Sequence, residues 1–162
     1  MTGAAVLDQD SMTNPLVDVV ADVIGAEAYG DQRIAILTRE ARYACLLHVA
    51  RDCLRSGVSV ILTAPFTSER EDHAAWSRLE AELKDAGGIP RLVWIRLRPE
   101  VIVERLKARG APRDAGKLSD PDSYMAGLNL EPPRVPHIEV DGSLSALDQA
   151  QLIIAALAAP PR

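Results

Sequence analysis

Val58-Ser59-Val60-Ile61-Leu62-Thr63 is an unbroken apolar, largely β-branched run, and Ala64-Pro65-Phe66 stops it. Such a run, entered after Ser56-Gly57 and left at a proline, reads as a strand buried on both faces, the mark of a parallel sheet. Leu92-Val93-Trp94-Ile95 repeats the pattern. Shorter strands are expected at Ala4-Ala5-Val6-Leu7, ending at Asp8, and at Ile138-Glu139-Val140. Helical segments lie between them. Asn14 as N-cap with Pro15 at N1 opens one, which Gly25 closes. The stretch 27–37 is poorly patterned and reads as loop or short helix. A second helix covers 39–55, capped by Thr38 and stopped by Ser56-Gly57. Asp72 caps a third, carrying Trp76, Leu79 and Leu83 and ending at Gly87-Gly88. Pro99 starts a fourth that runs to Arg109-Gly110, a polar Arg-rich loop comes next, and an amphipathic helix closes the chain over 144–158. Strands alternating with helices predict an α/β, three-layer domain with a mainly parallel sheet between helices. Ligands in such sheets bind at the carboxyl ends of the strands.

The 162 residues suit one domain, and 48% hydrophobic content is enough for one core. Aromatics make up only 4%, so that core is aliphatic. The net charge of −5 argues against non-specific nucleic-acid binding, which needs a basic surface, but allows one local basic pocket. No apolar run reaches the ~18 residues of a membrane span. Residues 1–10 carry no positive n-region and no long apolar stretch, so no signal peptide is expected. Cys45 and Cys53 fall on one predicted helix, roughly 12 Å apart at ~1.5 Å per residue, too far for a disulfide. They read as small hydrophobes of a reducing, cytoplasmic protein.

Polar residues at the predicted strand ends are the candidates for chemistry. Asp8-Gln9-Asp10 places two carboxylates just past the first strand, where they can share a metal ion or a substrate hydroxyl. The plainer reading is an acidic turn that ends a strand and caps the segment after it. Arg105 and Arg109 share a helix face at i, i+4, and Arg113 lies beyond them in the loop. Converging guanidiniums suit a triphosphate; the alternative is a solvated face beside a basic loop. Thr63 ends the buried strand where nucleotide-binding sheets often hold an Asp for magnesium. His48, His73 and His137 have no metal-ligand spacing and read as structural.

Taken together, these segments resemble the P-loop small-molecule kinases related to gluconate, shikimate and chloramphenicol kinases. Val6-Leu7-Asp8-Gln9-Asp10-(x4)-Pro15-Leu16 is similar to the segment after their P-loop helix. Leu62-Thr63-Ala64-Pro65-Phe66-Thr67 is similar to their second signature. Val93-Trp94-Ile95-Arg96 and then Arg105-Leu106-(x2)-Arg109-Gly110-(x2)-Arg113-Asp114-(x2)-Lys117-Leu118 resemble their fifth strand and arginine lid, here about 110–118. Pro136-His137-Ile138-Glu139-Val140-Asp141 resembles their last strand. The likeness runs from about residue 5 to 157, and the lid is its most specific part.

The resemblance implies an ATP- and Mg2+-dependent phosphotransferase acting on a small-molecule hydroxyl. Asp10 would be the base or hydroxyl-orienting carboxylate, with Asp8 at the magnesium. Arg105 would lie against adenine, Arg109 and Arg113 would stabilise the transferring phosphoryl group, and Thr63 would stand in the nucleotide's magnesium shell. Arg39, Arg42, Tyr43 and Lys117 would face substrate.

Two departures stand out. Thr63 lacks the charge of the family's usual Asp. The one Gly-Lys pair, Gly116-Lys117, stands five intervening residues after Gly110 and is followed by Leu118, so the G-x-x-x-x-G-K-[S/T] loop that holds the β- and γ-phosphates is not in the sequence. In the family's strand order, 2-3-1-4-5, the strand leading into that loop lies mid-sheet. Its omission would leave the strands near Val60 and Val93 innermost, with a slot between them open to copies of the chain. A shortened reading of a longer gene is the expected explanation; a closed-up remnant fold or a segment supplied in trans are the others. A non-catalytic nucleotide- or anion-binding protein and a structural or regulatory module are the competing functions.

Overall fold

The computed structural model describes residues 3–26, 31–111 and 114–158. Their contacts divide the chain into two compact units, one comprising 1–69 with 74–90, the other 70–73 with 91–162.

In the first unit, strand β1 (Ala5–Asp8) is followed by helix α1 (Gln9–Ile24), helix α2 (Gln32–Arg55) and strand β2 (Val60–Thr63). The short helix α3 (Thr67–Glu71) and then α4 (His73–Asp85) come after it. β1 and β2 pair in parallel, with Ala5 opposite Val60 and Asp8 opposite Thr63. The core is mainly aliphatic, as composition requires: Val17, Ile34, Leu46, Ala50, Leu79 and Leu83 are buried, with Trp76 beside them in the sequence of α4.

Two helix starts depart from the sequence reading. α1 begins at Gln9 rather than at Pro15, because Asp8 is its N-cap: the carboxylate accepts from the Ser11 amide at 2.7 Å. Pro15 therefore lies inside α1, where it removes only its own amide from the helix ladder. α2 begins at Gln32, capped by Asp31 rather than Thr38. Thr38 is interior and donates its hydroxyl to the Ile34 carbonyl at 2.8 Å, a polar group satisfied within the helix. Cys45 and Cys53 both lie on α2 as free thiols.

In the second unit, strand β3 (Leu92–Arg96) is followed by helix α5 (Pro99–Arg109) and two short helices, α6 (Ala115–Ser119) and α7 (Pro121–Ala126). Strand β4 (His137–Asp141) and helix α8 (Ala146–Ala158) complete it. β3 and β4 pair in parallel, Leu92 opposite His137 and Arg96 opposite Asp141. Gly110 closes α5 in the left-handed region, at φ 59°, which a glycine enters without Cβ strain. The Arg-rich segment read as loop contains α6 and α7.

The mainly parallel sheet expected from the sequence is in two pieces among the described residues. The described strands form two two-stranded parallel sheets, β1–β2 and β3–β4, and no ladder joins β2 to β3. Strands pair only across ~4.8 Å, and the strand order implied by the resemblance does not make these two neighbours. β2 is also not buried on both faces: its residues alternate, and Ile61 is 52% exposed.

Candidate functional site

The register that sets Asp8 opposite Thr63 brings the carboxyl ends of β1 and β2 side by side. This is where an α/β unit presents polar groups to a ligand. Asp8 spends one carboxylate oxygen on the α1 cap, so the plainer reading of that residue describes its observed contact. Asp10 lies in the first turn of α1, where a negative charge meets the positive end of the helix dipole.

Arg42, from the middle of α2, reaches across to α1. Its Nη2 donates to Asp10 Oδ1 at 2.5 Å and to Asn14 Oδ1 at 3.1 Å, and its Nε donates to Thr13 Oγ1 at 2.7 Å. Thr13 in turn donates to the Gln9 carbonyl at 2.6 Å. This forked contact pairs Asp10 with a guanidinium and ties the two helices together. Arg42, expected beside substrate, is thus seen as the partner of the candidate base.

One residue further along α2, Tyr43 faces the exit of β2. Its hydroxyl accepts the Phe66 amide at 2.8 Å, and the two rings meet edge to face with centroids 5.8 Å apart. Phe66 has φ 45°, the only positive value among the described non-glycine residues. A bulky side chain in that region is strained by about 1–3 kcal/mol and persists only where its surroundings hold it. The Tyr43 contacts supply that hold. Tyr43→Phe, which removes the acceptor and keeps the ring, is expected to cost about 1 kcal/mol, measurable as a lower urea midpoint. An unchanged midpoint would show that the hydroxyl holds nothing. Burial pushes the Tyr43 phenol above its ordinary value, opposed by the Phe66 hydrogen bond, so the group stays protonated at neutral pH.

Beside Tyr43 lies a cavity of about 340 Å³ lined by Arg39, Glu40, Tyr43, Ser68 and Glu69. Two of the expected substrate residues, Arg39 and Tyr43, therefore share one pocket. Glu40, Ser68 and Glu69 were not singled out, since nothing in their spacing marks them; only the fold of α2 against α3 collects them.

The second unit holds the lid residues. Arg105 Nη2 donates to the Gly142 carbonyl at 2.5 Å, anchoring α5 to the turn after β4. A Cβ at Gly142 would come within 2.8 Å of side-chain atoms of Ile95 and Leu97, so a larger residue there would have to displace them. Arg109 donates through Nε at 2.8 Å and Nη2 at 2.7 Å to Asp114 Oδ2, while Lys117 Nζ donates to Asp114 Oδ1 at 2.9 Å. Lys117 also stands 5.7 Å from the centre of the Tyr124 ring. Arg113 lies outside the described residues.

Asp114 has no exposed side chain. Burial pushes its carboxyl up, but the hydrogen bonds and charges of Lys117 and Arg109 outweigh this and hold it below the usual range. Sequence reasoning quoted Asp114 without giving it a role. Its position three before Lys117 and five after Arg109 is the signal that could have revealed the bridge.

Among the described residues no three carboxylate, histidine or cysteine side chains gather in a metal-binding group. No helix of the described residues is long and apolar enough to cross a membrane.

Neither a curated protein nor a solved structure matches the chain. A family model described as an AAA domain matches residues 2–125, more than half the length, and covers the Asp8–Asp10 turn, the pocket and the lid. With parallel strand pairs and polar groups at their carboxyl ends, the chain belongs to this AAA domain family, P-loop NTPase-like and kinase-like in its coarse character.

Proposed function

We propose that this chain carries the acceptor and lid residues of an ATP-dependent phosphotransferase whose substrate is a small-molecule hydroxyl. The observation that carries the reading is the Arg42–Asp10 pair just past the carboxyl end of β1; Tyr43, next in the sequence of α2, lines the pocket. A carboxylate paired with a guanidinium at the end of a parallel strand pair can orient an alcohol and take its proton. Arg42 supplies that guanidinium. Arg109, presented by α5 and steadied by Asp114, offers a guanidinium to anionic oxygen, and Arg105 steadies the turn after β4.

The residues present do not build the whole nucleotide site. The sequence contains no G-x-x-x-x-G-K-[S/T] loop to hold the β- and γ-phosphates, and among the described residues no three metal-ligating side chains gather. The phosphotransferase reading therefore concerns the acceptor side. The 162-residue chain is expected to bind Mg·ATP weakly or not at all and not to hydrolyse it, because the main positioning element of phosphoryl transfer is not in its sequence. Calorimetric titration with a phosphate-release assay checks this; micromolar affinity with turnover would overturn it. Nucleotide binding without turnover, abolished by Arg109→Ala, would favour the non-catalytic reading instead.

A further inference from the structure

The pocket beside Tyr43 has a charge pattern that the phosphotransferase reading does not specify. All five lining residues carry a polar group, and about half of the surface they present is apolar. A ligand must therefore bring polar partners as well as some apolar surface. Among the charged ones are two carboxylates, Glu40 and Glu69, against one guanidinium, Arg39. The next basic residue on α2, Arg42, is occupied by Asp10, Thr13 and Asn14. The lining therefore carries an excess of one negative charge.

We propose that this pocket accepts a small alcohol bearing a positively charged amino group, of the amino-sugar or amino-polyol class, with Glu40 and Glu69 facing the ammonium. This deepens the phosphotransferase reading of the same site and rests on it for the fate of the hydroxyl. A volume of about 340 Å³ suits a single sugar-sized ring rather than a nucleotide. Tyr43 and Ser68 provide hydroxyl partners for the substrate's own hydroxyls. Tyr43 is the rigid one, because its bond to the Phe66 amide and its edge contact with that ring fix its direction. Carboxylated or phosphorylated alcohols meet the two glutamates at the same rim and are disfavoured by like charge. Because the rim is open to solvent, each carboxylate contributes only roughly two- to five-fold in affinity, compounding to about ten-fold at low salt.

The test uses the whole chain without nucleotide and three probes of one size: glucosamine, glucose and gluconate. Titration monitored by NMR at low ionic strength is expected to give glucosamine about ten-fold tighter than glucose, with gluconate weakest. Glu40→Gln with Glu69→Gln is expected to erase the preference for glucosamine over glucose; circular dichroism verifies the fold, and the exposed position of Glu40 makes its replacement mild. Equal affinities, the reverse order, a preference that survives both substitutions, or no binding of any probe overturns the proposal. The same probes are then offered to a chain extended by a P-loop strand, loop and helix. Amine-selective binding without transfer keeps this proposal and removes the phosphotransferase reading. Transfer to glucose or gluconate with no amine preference does the opposite.

Discussion

Asp10→Asn, in a chain extended upstream by a P-loop strand, loop and helix, is expected to slow phosphoryl transfer by about 10²–10⁴-fold while leaving ATP affinity nearly unchanged. That is the usual contribution of a general base, and the amide keeps the shape of the carboxylate while losing its basicity. The Arg42 contact makes the test sharper, because Asn can still accept from Nη2 and the α1–α2 clamp survives. Arg42→Ala should instead remove the guanidinium partner of Asp10 and slow transfer by a smaller factor. Arg109→Ala should impair both nucleotide affinity and rate. A restored enzyme in which Asp10→Asn matches its parent would reduce Asp10 to a residue that complements the α1 dipole.

Asp114→Ala is expected to produce a clear loss of stability in the second unit. The substitution leaves Arg109 and Lys117 without their shared acceptor and opens a space around a side chain that solvent does not reach. Removing one partner from a fully buried pair costs about 3–5 kcal/mol. Here both cations reach solvent and rehydrate, so a loss of about 2 kcal/mol is expected, nearer that of a single charged hydrogen bond. Thermal unfolding should register it as a drop of about 4–8 °C, at ~2–4 °C per kcal/mol for a chain of this size.

The pH dependence comes from the direction of the Asp114 shift. A carboxyl held below its ordinary value favours the folded state whenever it is ionised, so its contribution is complete above the unfolded value of ~3.9 and fades as pH falls through the lower folded one. Parent and variant should therefore differ by a constant amount between pH 5 and 7 and converge only below about pH 4. A difference that already shrinks near pH 6 would mean that the buried acid is not the group being lost.

Much of the secondary structure is legible in the sequence alone. β3 and β4 fall within a residue or two of the apolar runs that predicted them, because a strand of valines and isoleucines has few other favourable conformations. α5 starts at Pro99 and stops at Gly110, residues whose backbone geometry permits little else. The start of α1 was misplaced because two N-cap candidates compete: Asn14 before Pro15 has the stronger local pattern, yet Asp8, at the end of a paired strand, is where the chain must turn. A proline six residues into a helix is a local penalty that the Arg42 contacts to Asp10, Thr13 and Asn14 help to offset, and these come from a helix about thirty residues away.

The candidate site divides the same way. Residue order alone placed Asp8, Asp10 and Thr63 at strand ends and Arg105 and Arg109 on one helix face, because strand and helix periods convert spacing directly into direction. Which charges meet is a matter of long-range packing that no period encodes. Only the folded chain gave Arg42 to Asp10 and the Phe66 amide to Tyr43. The parallel direction of both strand pairs is set by helices that intervene in the sequence, whereas their separation into two sheets is not: backbone pairing depends on which strands come within hydrogen-bonding distance, and tertiary packing decides that.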